Sequence, residues 1–128
     1  MAEGIARAGF DIDLREGVAR EGALVHVFLR ARVEHKRDYK CMDTGNLFVE
    51  YRQKHGAPSG LSTTTAAFWA FEYDRDCWLI VPTERVRRVA KASSKIKGRL
   101  VLGGDFNNFR GILVKLRDLI LGLEPAPR

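Results

Sequence analysis

Long apolar runs are missing from this chain. None approaches the ~18 residues that a membrane-spanning helix needs, which argues against an embedded protein. The first residues are polar and acidic early on and lack a signal-peptide core. Cysteine is scarce. Cys41 and Cys77 lie far apart, form no C-x-x-C, and make no zinc spacing with His26, His35 and His55. Two lone thiols fit a reducing cytoplasm, each as a packing residue. Gly103-Gly104 is not followed by G-K-[ST], so the phosphate-loop signature is absent. No internal repeat is visible. Acid is outnumbered: 16 Asp and Glu stand against 22 Lys and Arg, a net charge of +6. That balance points to a polyanionic partner, and nucleic acid is the leading one.

What is present describes a globular protein. With 128 residues, 45% hydrophobic and 30% charged, the expectation is a single domain over residues 1–128 with one core. Residues 1–10 read as a loose lead-in and residues 124–128 as a loose tail.

The chemistry concentrates in residues 32–51. Residues 33–38 suit a strand, in which alternate side chains share a face. Glu34, Lys36 and Asp38 then point one way, and Val33, His35 and Arg37 the other. Residues 46–52 suit a second strand, with Leu47, Val49 and Tyr51 opposite Phe48, Glu50 and Arg52. Gly45 and Asn46 fit a tight turn. Pairing of the two segments would set Glu50 beside the Glu34, Lys36 and Asp38 row. Clustered carboxylates repel unless a cation sits among them. Oxygen ligands on strands suit Mg²⁺ or Mn²⁺, with Glu34, Asp38 and Glu50 as the metal candidates. Lys36 could orient or deprotonate a water, or steady charge on a phosphate. The plainer alternative is a solvated strand face, on which E-x-K is common.

Asp13 with Glu16 has the form of a capping box opening a helix. Leu14, Val18, Glu21, Val25 and Phe28 share one helical face. Glu21 either looks toward the strand carboxylates or lies at the stripe's edge. Residues 53–61 have loop composition, with Lys54 among them. Ser62 to Thr65 can cap a helix over residues 66–71, and the Ser62 and Thr63 hydroxyls could alternatively meet a phosphate there. The run at residues 77–81 reads as a strand buried on both faces, ended by Pro82. Thr83 would cap a further helix. Residues 85–99 hold seven cations and no acid: Arg85, Arg87, Arg88, Lys91, Lys95, Lys97 and Arg99. They suit sequence-independent backbone contacts to DNA, or merely solvate a helix and loop. A short strand at 99–102, a turn-rich loop at 103–108, an apolar segment at 111–116 and a last helical turn or two at 117–123 follow.

The element order is mixed α/β. Val33-Glu34-His35-Lys36-Arg37-Asp38, Thr44-Gly45-Asn46-Leu47-Phe48-Val49-Glu50-Tyr51 and Pro58-Ser59-Gly60-Leu61-Ser62-Thr63-Thr64 together resemble the PD-(D/E)XK nuclease superfamily. More narrowly they look like its small phage-type, junction-resolvase-like members. The resemblance spans roughly residues 11–119 and includes Val81-Pro82-Thr83-Glu84 and Gly103-Gly104-Asp105. It implies a restriction-endonuclease-like core, a mixed central sheet flanked by helices, and Mg²⁺-dependent hydrolysis of a DNA phosphodiester. Glu34 and Glu50 would be metal ligands, Asp38 a further one, Lys36 the water-orienting base and Glu21 the helix acid. Arg52 and Lys54 would add to the DNA contacts. It also implies the cytoplasm of a bacterial or phage-infected cell, and a homodimer, since small members often dimerise to cut two strands.

The chain departs from the pattern. Arg52 stands where the second strand should carry Lys, and E-x-K falls on the first strand instead. Either Glu34 or Asp38 is the first acid, Glu50 the second and Lys36 or Arg52 the cation, or Glu34 and Lys36 are the motif itself and the first acid is missing; the former keeps more acids together. Ala67 stands where such proteins carry a carboxylate. That keeps open a catalytically inactive nuclease-fold protein, serving nucleic-acid binding or phage assembly.

Overall fold

The computed structural model describes the backbone of residues 2–127 and the side chains of residues 14–127. The chain divides into two compact units, Met1–Arg32 and Val33–Arg128, where its length suggested one domain. The first unit holds a single helix, α1 (Ala2–Leu29). The helix starts well before Asp13, so Asp13 lies inside it and a capping box there does not open it. The lead-in read at residues 1–10 is helical from Ala2 onward, and Met1 lies outside the described residues. Glu21 is exposed on this helix.

The second unit is mixed α/β. Its elements are β1 (Val33–Arg37), α2 (Cys41–Thr44), β2 (Asn46–Gln53), β3 (Phe68–Asp74), β4 (Cys77–Pro82), α3 (Thr83–Ser94), β5 (Leu100–Gly103), β6 (Phe109–Lys115) and α4 (Leu116–Leu121). The strands form two three-stranded sheets, ordered β1-β3-β4 and β2-β6-β5. β1 runs parallel to β3 and pairs Glu34 with Trp69 and Lys36 with Phe71. β2 runs antiparallel to β6 and pairs Glu50 with Gly111.

The expected hairpin between the two acidic segments therefore does not form. β1 and β2 are consecutive but enter different sheets. The link between them is not a tight turn. It is the helical turn α2, closed by Gly45 at φ 73°, whose N–H donates to Cys41 O at 2.7 Å. Left-handed geometry of this kind is what a glycine after a helix supplies. Thr44 Oγ1 then accepts from Asn46 N–H at 3.1 Å and aims the chain into β2.

Two further expectations change. Residues 66–71 are not a capped helix, because β3 starts at Phe68 and is the central strand of its sheet. Phe68, Trp69, Phe71 and Tyr73 favour a pleated strand, and β1 and β4 supply backbone partners on both sides. β4 is not buried on both faces. It is an edge strand, with Cys77 and Trp78 exposed and Val81 buried. Thr83 does begin α3, yet its hydroxyl makes no cap. It donates to Ala66 O at 2.7 Å, fastening α3 to the approach of β3.

Both sheets feed one core. Leu47 and Val49 from β2, Trp69 and Phe71 from β3, and Val114 from β6 pack with Val86 and Val89 of α3. Cys41 is buried here, and burial raises its pKa, with Asp38 adding to the effect. This is the packing role expected of it. Leu47 and Val49 face the core while Phe48 and Glu50 lie on the other side of β2, as alternation requires.

Candidate nucleic-acid interface

The inner face of β1 carries Glu34 and Lys36, half-buried, while Val33, His35 and Arg37 are exposed. The alternation expected from the sequence is thus present. His35 turns to the opposite surface, where its Nε2 accepts from the Trp78 indole N–H at 3.3 Å. Tyr39 donates to Glu72 nearby, and that hydrogen bond raises the Tyr39 pKa above its ordinary value, with burial second.

Lys36 Nζ lies 3.1 Å from Glu34 Oε1 and 5.6 Å from the centroid of the Trp69 ring. Asp38 follows β1. Its N–H donates to Glu72 O at 2.9 Å, extending the run along β3. Its Oδ2 accepts the Phe48 N–H at 2.8 Å. A carboxylate from the end of the first sheet thereby holds the backbone of the second, and a hydrogen bond to a charged group contributes about 1.5–3 kcal/mol.

Asp38 and Phe48 both line a cleft of about 550 Å³. Lys36, Asp38 and Glu50 all line it, with Arg37, Lys40 and Phe48. Three cations face two carboxylates, a balance that admits a phosphate chain. Glu34 does not line it, being occupied with Lys36. The expected convergence of three acids is not formed, because β1 and β2 do not pair. Among the described residues no three His, Cys, Asp or Glu side chains group closely enough to hold a metal by themselves.

The Pro58 to Thr64 part of the sequence pattern explains itself here. Arg52 bridges Pro58, and Ser59 N–H and Ser62 Oγ both donate to Tyr51 O, at 3.2 and 2.7 Å. Gly60, at φ 50°, presses on the main chain of Glu50, and a Cβ there would lie 2.3 Å from Glu50 O. β2 also carries an irregularity between Glu50 and Arg52, the kind of bulge that re-aims a side chain. So this loop packs against the main chain of β2 at Glu50 and Tyr51. Gly60→Ala is expected to cost about 2–3 kcal/mol of stability, from left-handed strain plus displaced backbone. Chemical denaturation would read it, and an unchanged midpoint would mean the loop does not brace Glu50. The same contacts occupy Ser62, while Thr63 Oγ1 faces Gly60 O at 3.4 Å. Neither hydroxyl stands at a helix N-terminus.

The basic segment is only partly available. Arg85 donates to Leu119 O and Ile120 O, and Arg88 to Gly122 O at 2.8 Å, so both satisfy carbonyls at the end of α4. Arg87 pairs with Glu84 and reaches Thr64 O. Arg99 donates to Asn46 Oδ1 at 2.9 Å. Lys91, Lys95 and Lys97 are exposed and in no ion pair among the described residues. Arg52 and Lys54 are exposed as well, and Arg52 stands directly across from Arg110.

Sequence reasoning passed over Phe48 and Lys40. The Phe48 ring lies on bare backbone: a Cβ at Gly111 or Gly103 would meet it at 2.2 or 2.6 Å. The signal was the pair of glycines in β5 and β6, where a strand normally carries side chains.

No protein-family model matches the chain, and no curated protein or solved structure matches it either.

Proposed function

We propose that the protein is a divalent-metal-dependent DNA endonuclease, hydrolysing phosphodiester bonds at the cleft of Lys36, Asp38 and Glu50. On this reading the α/β unit is a restriction-endonuclease-like core and the cleft is its working edge. The observation that carries it is the meeting of these three side chains in one cleft, although their strands belong to different sheets. Two carboxylates suit Mg²⁺ or Mn²⁺, which keeps several waters and takes further oxygens from a bound phosphate. Held by Asp38 and Glu50, the ion would supply charge neutralisation at the phosphate.

The remaining work falls to the chain itself. Lys36 lines the cleft, and its ammonium, held on Glu34 at 3.1 Å, would turn to orient a water or steady the charge growing on phosphorus oxygens. Arg37 and Lys40 hold the flanking phosphates. Phe48 gives the cleft an apolar wall that excludes bulk water. Lys91, Lys95 and Lys97 add sequence-independent attraction over a wider surface. The setting is the cytoplasm of a bacterial or phage-infected cell, and the working form is a homodimer able to cut two strands. Glu34 stands outside the cleft lining, Glu21 belongs to the other unit, and neither has a step assigned to it.

A second reading has its own support. Asp38 is engaged by the Phe48 N–H, Glu34 by Lys36, and Ala67 brings no acid. A nucleic-acid-binding or phage-assembly protein of the same fold needs no more than this. One experiment separates the two. Labelled linear duplex, single strand, flap and four-way junction are incubated with Mg²⁺, Mn²⁺ or EDTA, using wild type and Lys36→Ala. The nuclease gives metal-dependent cutting that falls by about a hundredfold or more in the variant. Cutting that persists in EDTA, or that Lys36→Ala leaves unchanged, removes the proposal. Salt-sensitive binding without cutting establishes the second reading.

A further inference from the structure

The turn between β5 and β6 has a feature the cleft chemistry does not use. Phe106 is 94% exposed, the highest value among the large apolar side chains described. Its backbone is left-handed, at φ 57°, and Asn107 follows at φ 53°. Asparagine tolerates that geometry, whereas phenylalanine does not favour it. Both the backbone and the hydrophobic effect thus argue against a phenylalanine standing here in water.

The turn is nevertheless braced. Asn107 N–H donates to Gly104 O and Asn108 N–H to Asp105 O, both at 3.2 Å. Lys54 N–H donates to Asn108 O at 2.7 Å, tying the turn to the end of β2. The Phe109 ring covers Gly104, where a Cβ would come within 2.7 Å of it. Phe106 is therefore held outward on a supported turn. The same turn contributes Gly104 and Asn107, beside Gly103 at the end of β5, to the lining of the cleft that holds Lys36, Asp38 and Glu50.

We propose that Phe106 is a wedge that enters the base stack of DNA lying in this cleft and unstacks one base step beside the phosphate at Lys36. The inference rests on the DNA-binding part of the reading above and deepens it. An apolar ring inserted between bases leaves water and replaces the stacking it breaks. Lys36, Arg37 and Lys40 hold the backbone while this happens. The freed nucleotide has the Phe48 ring available in the same cleft, and every base offers a π-face to stack on it. The favoured substrate is then DNA with a step that opens cheaply, such as a mismatch, a bubble or a branch point.

The test uses the full chain, with EDTA present so that no strand is cut, and duplexes carrying 2-aminopurine at successive positions. Wild type should raise the fluorescence at one position, and Phe106→Ala should reduce that rise by about fivefold or more. Phe106→Trp should retain it. A duplex already open at that position should bind wild type and Phe106→Ala equally. Because Phe106 packs on almost nothing, the Ala variant should melt as wild type does, which separates this outcome from misfolding. Binding by wild type with no fluorescence change, or an equal rise in Phe106→Ala, overturns the wedge and leaves the DNA reading intact. Absence of any DNA binding by wild type overturns both.

Discussion

Glu50→Ala is expected to lower metal-dependent cleavage by about a thousandfold while changing DNA affinity only a few-fold. The split follows from the cleft. Phosphate attraction comes from Lys36, Arg37 and Lys40, none of which the substitution removes. Binding should even tighten slightly at low salt, because one negative charge has left the cleft. The Glu50 carboxylate, by contrast, is one of only two in the lining. Asp38 by itself leaves the ion with a single carboxylate, and its Oδ2 already accepts the Phe48 N–H. Glu50 also has no hydrogen bond to the fold through its side chain among those described, so its removal should leave stability nearly unchanged. Single-turnover cleavage and a binding isotherm on the same substrate check both halves. Undiminished cleavage would put the chemistry elsewhere. A parallel loss of affinity and folding would make Glu50 a structural residue. The corresponding Asp38→Ala variant should lose activity and stability together, since it also releases the tie between the sheets.

The largest effect on stability is expected at Trp69. Trp69→Ala should cost about 3–5 kcal/mol, enough to consume much of the stability of a domain this size. Trp69 is fully buried and the largest side chain in that state. It sits on the central strand β3, with the Phe71 ring centroid 5.6 Å away at 45°. Removing it opens a cavity where two sheets and α3 meet. The indole Nε1 has no hydrogen-bond partner among the described residues. Trp69→Phe therefore deletes an unpaired donor along with some volume, and should cost much less, about 1–2 kcal/mol. Urea denaturation of the two variants gives the comparison. Equal losses would mean that the indole N–H is satisfied after all. Trp69→Ala also withdraws the ring beneath Lys36, a cation–π contact of about 0.5–1 kcal/mol, so it should loosen Lys36 in the cleft.

Much of the site was legible before any fold was known. Alternation set Glu34, Lys36 and Asp38 against His35 and Arg37, and set Leu47 and Val49 against Phe48 and Glu50. The structure keeps the partition of β2 and the burial alternation of β1, although Arg37 lines the same cleft as Lys36 and Asp38. The start of α3 at Thr83 and the strand and loop succession from residue 99 to 116 were legible too. Local signals failed where competing local readings existed. Threonines followed by two alanines suggested a capped helix, but the aromatics of β3 found strand partners on both sides. The arginines of α3 looked like free cations. Arg85 and Arg88 instead meet carbonyls more than thirty residues away in sequence.

The sequence by itself determined which side chains share a face, because strand and helix periods are local properties of the backbone. It also determined the basic composition of the chain and a break in the chain at Gly45, though not the helical turn α2 that Gly45 closes. Only the tertiary structure decided which strand lies beside which. Backbone hydrogen bonds are the same for every residue, so alternation names a face and leaves its neighbour open. That decision moved Glu50 away from pairing with Glu34 and onto Gly111. It also put Asp38 where its N–H meets Glu72 O of the first sheet while its carboxylate accepts the Phe48 N–H of the second.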